Sequence, residues 1–187
     1  MRRRVHLTAH RDATDNGRPH FLSHAMTVHP PPVHRSAEEQ AVLEEAMTTS
    51  FAGIPFHQLL GLRIISQSAT RSQVEVRTRP ELIGNVLHYR LHGGAIATVI
   101  DAAAGYSICA AMAEKFCDEN MEQLAHRYAR IGTIDMRIDY LHQAQGQRFI
   151  ATGEVLRLGG RIATAHVRFE NEDGQLIATG AAAYIVS

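Results

Sequence analysis

One carboxylate, Asp101, stands in a run from 93 to 113 whose other side chains are small or apolar, apart from the phenol of Tyr106 and the thiol of Cys109. An acid among such neighbours loses water, which disfavours its charged form and moves it toward the range of a working base. Ala97, Thr98, Ala104 and Gly105, one turn away on a helix, are all small and leave a groove that a ligand or a second helix can enter. The plainer reading of the same residues is a paired or half-exposed acid at an interface.

His92, Gly93 and Gly94 stand at the start of this run. The first amides of a helix lack intrahelical partners, and its dipole favours developing negative charge, so glycines there let a carbonyl oxygen or oxyanion come close. A glycine-permitted turn is the simpler alternative. Asp101 lies nine residues beyond His92, about 180° around a helix and about 13 Å along it. One helix therefore cannot bring both groups to the same atom. Cooperation between them requires a second subunit's helix beside the first, which predicts a two-fold dimer with composite sites and leaves pairing of dimers into tetramers open.

The elements that must hold these groups follow from periodicity. Ser36 and Glu39 form a capping box, and Val42, Leu43, Ala46, Met47 and Phe51 keep to one face until the segment 53–55 ends that helix. Residues 60–67 and 72–79 read as a strand hairpin, and 92–115 as one long helix. Apolar residues on every face predict that this helix is buried all round. A membrane span is rejected, because a central Asp costs about 2.5–3.5 kcal/mol on an insertion scale. A short amphipathic helix is expected within 118–130. Four strands follow, at 133–141, 148–158, 161–170 and 176–186, with hairpin turns at 159–160 and 171–174. In the first of these, alternation puts Ile134, Met136, Ile138 and Tyr140 on one face and Thr133, Asp135, Arg137 and Asp139 on the other. The whole is α+β, an antiparallel sheet wrapped around one long central helix.

Composition limits what such a domain does. The 187 residues suit one domain with tails, and 19 basic side chains balance 19 acidic ones, so no charged field recruits nucleic acid. Residues 1–35 hold six of the twelve histidines and little apolar periodicity, and read as a disordered tail before a domain at 36–187. The pairs His6/His10 and His20/His24 have helical metal-ligand spacing, but no further ligand pattern joins them, and no metal is expected. Cys109 and Cys117 match no zinc or redox spacing and suggest reduced thiols. With no apolar secretion segment, and with acidic residues in the tail, the expected location is the cytoplasm.

The run "LHGGAIATVIDAAAG" resembles the HGG-x7-D signature of hotdog-fold acyl-CoA thioesterases of the PaaI type. Further stretches, "NVLHYRLHGG", "RIGTIDMRIDYL" and "NEDGQLIATGAAAYIVS", are similar to the bacterial YigI-type medium- and long-chain acyl-CoA thioesterases, over about residues 50–187. The resemblance implies a hotdog fold and hydrolysis of acyl-CoA to free acid and CoA, with CoA entering only as part of the substrate and no separate cofactor. It implies that Asp101 is the general base or nucleophile, and that the Gly94 amide, with Gly93, polarises the thioester carbonyl from the other subunit. It further implies that His92 shapes the helix start, that Asn85 orients water or the carbonyl, and that the Thr133 hydroxyl holds the attacking water.

The chemistry agrees, since thioester hydrolysis needs a base or nucleophile and donors for an oxyanion. A serine triad is not signalled: Ser107 is in no GxSxG elbow. The phosphates of CoA want cations, and Arg157 and Arg161, flanking the Gly159–Gly160 turn, are the best candidates, although an ordinary solvated hairpin is the alternative. Two rivals remain: a hotdog hydratase or dehydratase, kept open by His88 and His92, and a non-catalytic acyl-CoA sensor. A sensor needs an output domain, and none is visible in the chain.

Overall fold

The computed structural model describes residues 35–187; the expectations for the histidine-rich N-terminal segment lie outside them. Helix α1 spans Ala37–Gly53. The Ser36 side chain accepts from the Glu39 amide and the Glu39 carboxylate accepts from the Ser36 amide, the reciprocal bonds of the expected capping box. Pro55, the last residue of the segment 53–55 that ends α1, then opens a short second helix, α2 (Pro55–Leu60). Its fixed φ suits a first helical position, where no amide partner is needed.

Strands β1 (Arg63–Gln67) and β2 (Arg71–Arg77) pair antiparallel, as expected. A brief antiparallel pair follows, β3 (Ile83–Asn85) with β4 (Arg90–Leu91), too short to show a period in the sequence. The long helix α3 runs Gly93–Lys115 and the short α4 Met121–Tyr128. Strands β5 (Gly132–Tyr140), β6 (Arg148–Leu158), β7 (Ile162–Asn171) and β8 (Leu176–Ile185) complete the chain. The main sheet has the order β1-β2-β6-β7-β8-β5 and every pairing in it is antiparallel.

Helix α3 packs across one face of this sheet, against β2, β6, β7 and β8, with β5 at its side. Its inward residues Val99, Ile100, Ala103, Ile108 and Met112 are fully buried with Val74, Phe149, Val167 and Phe169 of the strands. The approach is close enough to exclude a side chain at Gly153 on β6, where a Cβ would sit 2.6 Å from the Ala103 carbonyl and against the Ser107 hydroxyl. That hydroxyl is satisfied inside the core, bonded to Ser72 at 2.5 Å and donating to the Ala103 carbonyl at 2.8 Å. Although α3 is long and apolar enough to cross a membrane, these contacts make it the core helix of a hotdog fold.

Two details depart from the sequence reading. Helix α3 is not buried all round: Ala97, Thr98, Asp101, Gly105 and Cys109 form a half-exposed stripe, because the sheet covers only one side of the cylinder. Strict alternation also fails at the start of β5. A bulge between Thr133 and Asp135 sets two residues against one on β8, which reverses the phase. Thr133 thus turns toward α3, and Ile134, expected inward, is 54% exposed.

Candidate active site

Asp101 sits on the half-exposed stripe of α3, and two hydroxyls reach it from the sheet. Thr133 Oγ1 donates to Asp101 Oδ1 at 2.9 Å. The Tyr184 hydroxyl contacts the main-chain carbonyl of Asp101 at 2.7 Å and bonds the same Oδ1. Register explains the convergence, since Thr133 on β5 is the direct cross-strand partner of Tyr184 on β8. Tyr184 is only 3% exposed; burial, and then the hydrogen bond and charge of Asp101, push its phenol far above the ordinary range and keep it a donor. Its ring packs over Gly105 of α3, where a Cβ would fall 3.4 Å from Tyr184 Cε1, an ordinary van der Waals contact.

His92 is the N-cap of α3, and its Nδ1 accepts from the Gly94 amide at 2.9 Å. The amide expected to face a substrate is therefore held by the ring in this state, which leaves the Gly93 amide as the first donor without a partner among the described residues. Tyr140 donates to the Gly93 carbonyl at 2.9 Å and ties the helix start to β5. Asn85, His92 and Gly93 line one shallow depression, and Asn85 Oδ1 accepts from the His88 amide at 3.1 Å, bracing the turn between β3 and β4. Asp101 does not border this depression. Within one protomer the residues named from the sequence thus fall into separate groups, Asn85 with His92–Gly94 at the helix start, and Asp101 with Thr133 two turns on.

The third group, Arg157, Gly160 and Arg161, lies at the β6–β7 turn, and all three residues are exposed. Lys115, at the C-terminal end of α3, donates to the Gly159 carbonyl at 3.1 Å and adds a third cation to this corner. It is fourteen residues beyond Asp101, about 21 Å along the helix. Among the described residues no cluster of three or more metal-ligating side chains occurs.

An apolar cavity of about 460 Å³ opens beside Asp101, between α3 and a roof made by α1 and α4. Asp101, Ala102, Gly105, Tyr106 and Cys109 form its floor; Leu43, Met47 and Phe51 of α1 and Leu124, Ala125 and Tyr128 of α4 form the roof. His57 of α2 stands at the wall, its Nδ1 donating to the Phe51 carbonyl at 3.0 Å, and burial lowers the pKa of its ring. The apolar packing around the partly buried Cys109 likewise pushes its thiol up to about 12. Tyr184, His57 and this roof were missed from the sequence. Tyr184 sits in an Ala-rich strand whose family resemblance assigns no role to the phenol, and the roof residues read only as core-facing helix positions.

Comparison with known proteins agrees with this geometry. The family model described as "Thioesterase superfamily" matches residues 88–178. The medium/long-chain acyl-CoA thioesterase YigI of Salmonella typhimurium is 37% identical over 133 residues, 71% of this chain and 86% of the relative. The Escherichia coli protein of the same name is 35% identical over the same shares. A crystal structure from Shewanella oneidensis, related to the thioesterase superfamily, superposes with a TM-score of 0.76 at 38% identity, covering 82% of this chain and all of that one. By sequence, fold and the motif around Asp101, this chain belongs to the thioesterase superfamily.

Proposed function

We propose that the protein hydrolyses acyl-CoA thioesters of medium to long chain length to the free acid and CoA. The observation that carries this reading is the apolar cavity beginning at Asp101: it is a chamber for an alkyl chain with a carboxylate at its mouth. The names of the YigI relatives support the same substrate class.

Asp101 acts on the thioester carbonyl, as base toward water or as nucleophile, with Thr133 beside it. The helix start, about 10 Å from Asp101 along α3, is too far to serve the same carbonyl. The oxyanion donors therefore come from the helix start of the partner subunit in a homodimer with composite sites, the unpartnered Gly93 amide first and the Gly94 amide once the His92 ring releases it. Asn85 and His92 set the shape of that helix start. Exposed Arg157, Arg161 and Lys115, with Gly160 leaving the turn open, hold the phosphates of CoA. The chemistry draws on no metal or separate cofactor, and two free thiols suit a reducing cytoplasm. Residues 36–187 form the catalytic domain.

Release of free CoA from a panel of acetyl- to palmitoyl-CoA, with wild type and Asp101→Asn side by side, tests the proposal. Turnover that rises with chain length and falls by about a thousandfold in Asp101→Asn supports it. Tight binding without release of CoA by either protein would establish a sensor instead. The hydratase rival loses ground because His88, by its main chain, only braces the exposed loop, donating to Asn85 and accepting from Gln145.

A further inference from the structure

We propose that Tyr184 is a positioning residue for Asp101, gripping carboxylate oxygen Oδ1 together with Thr133 so that Oδ2 is the oxygen that reacts. The inference rests on the thioester-hydrolysis reading above and deepens it by naming the reacting atom. Three observations carry it. Both hydroxyls converge on Oδ1, from neighbouring strands and in direct register. Oδ2 has no hydrogen-bond partner among the described residues, although Asp101 borders the cavity. Tyr184 also binds the main-chain carbonyl of the same residue, so its hydroxyl fixes side chain and backbone together.

A carboxylate on a half-exposed helix face is otherwise free to rotate, and a misplaced base loses rate steeply with small displacements. Two donors on one oxygen remove that freedom and leave the other oxygen's lone pairs available. In the hydrolysis, Oδ2 takes a proton from water as the water oxygen bonds to the thioester carbon. That proton passes to the CoA sulfur as the C–S bond breaks, releasing acid and thiol and restoring the carboxylate.

The test is steady-state kinetics with decanoyl-CoA on wild type, Tyr184→Phe, Thr133→Val, Thr133→Ser and the double variant Tyr184→Phe/Thr133→Val, with thermal melting of each. Tyr184→Phe keeps the buried ring and loses only the hydroxyl. The expected result is a kcat lower by about tenfold with KM within about twofold, as for an interaction that matters to the chemical step and not to binding. Thr133→Ser should recover most of what Thr133→Val loses. The double variant should lose more than the product of the single losses, because either hydroxyl alone still holds Oδ1. A kcat for Tyr184→Phe within twofold of wild type would overturn the proposal. So would a loss carried by KM, or by a lowered melting temperature with kcat intact. A wild-type protein that releases no CoA would instead overturn the hydrolase reading itself, and this proposal with it.

Discussion

Plugging the cavity should shorten the preferred substrate by a calculable amount. The floor of the chamber extends along α3 from Asp101 to Cys109, eight residues and therefore about 12 Å. A fully extended backbone advances about 3.5 Å per three bonds, so an all-trans alkyl chain covers that distance in about ten carbons. Each methylene taken from water contributes about 0.8 kcal/mol, close to fourfold in kcat/KM, up to the length the chamber holds. Replacing Cys109 by Phe fills the far end, beneath Met47 and Tyr128, and should exclude about four methylenes. Hexanoyl-CoA would then keep its wild-type kcat/KM, while decanoyl-CoA would fall by about 200-fold. The assay is CoA release across even chain lengths from four to fourteen carbons, with a melting curve to register any overpacking, which costs about 1–3 kcal/mol. Equal loss at every chain length, or a wild-type profile flat from four to twelve carbons, would refute the assignment of this cavity to the acyl chain.

Composite sites predict complementation between inactive variants. Asp101→Asn and Gly94→Pro should each abolish turnover alone, but unfolding and refolding them together should restore about a quarter of the wild-type rate, since in a dimer with composite sites half the dimers would be mixed and each would hold one intact site; no recovery would place both groups in one subunit. Gly153→Ala should lower stability by about 1–3 kcal/mol in chemical denaturation, because its Cβ meets the Ala103 carbonyl and neither strand nor helix has room to shift. Glu75 gives a pH signature. Burial of its carboxylate, whose side chain is 4% exposed, pushes its pKa up, but the hydrogen bonds and charges of Arg148 and Arg77 more than offset this and hold it below the usual range. A lowered folded pKa stabilises above the unfolded value and is lost as pH falls through the folded one. Glu75→Gln should therefore cost about 1–2 kcal/mol at pH 7, moderated by the solvent-exposed arginines, and the gap between variant and wild type should narrow as the pH falls below the ordinary carboxylate range.

Much of this protein is written locally. The Ser36–Glu39 capping box, the long apolar helix behind His92 and the glycine turns between the last strands are each decided within a few residues, by capping, by periodicity and by backbone freedom. The lone acid on that helix, and the glycines at its start, were legible for the same reason: they break a local pattern. What alternation could not supply was the bulge at Thr133, since the phase of a strand is set by its partner β8 and one extra residue reverses every face assignment upstream. Tyr184 was silent in sequence because its meaning comes from sitting opposite Thr133 and above Gly105, contacts 51 and 79 residues away. The apolar cavity beside Asp101 is likewise a property of helices α1, α3 and α4 together, and no single one of them encodes it. Sequence marks Asp101 as the odd residue of its helix; only the packed sheet and helices bring Thr133 and Tyr184 to its Oδ1 and leave Oδ2 without a hydrogen-bond partner among the described residues.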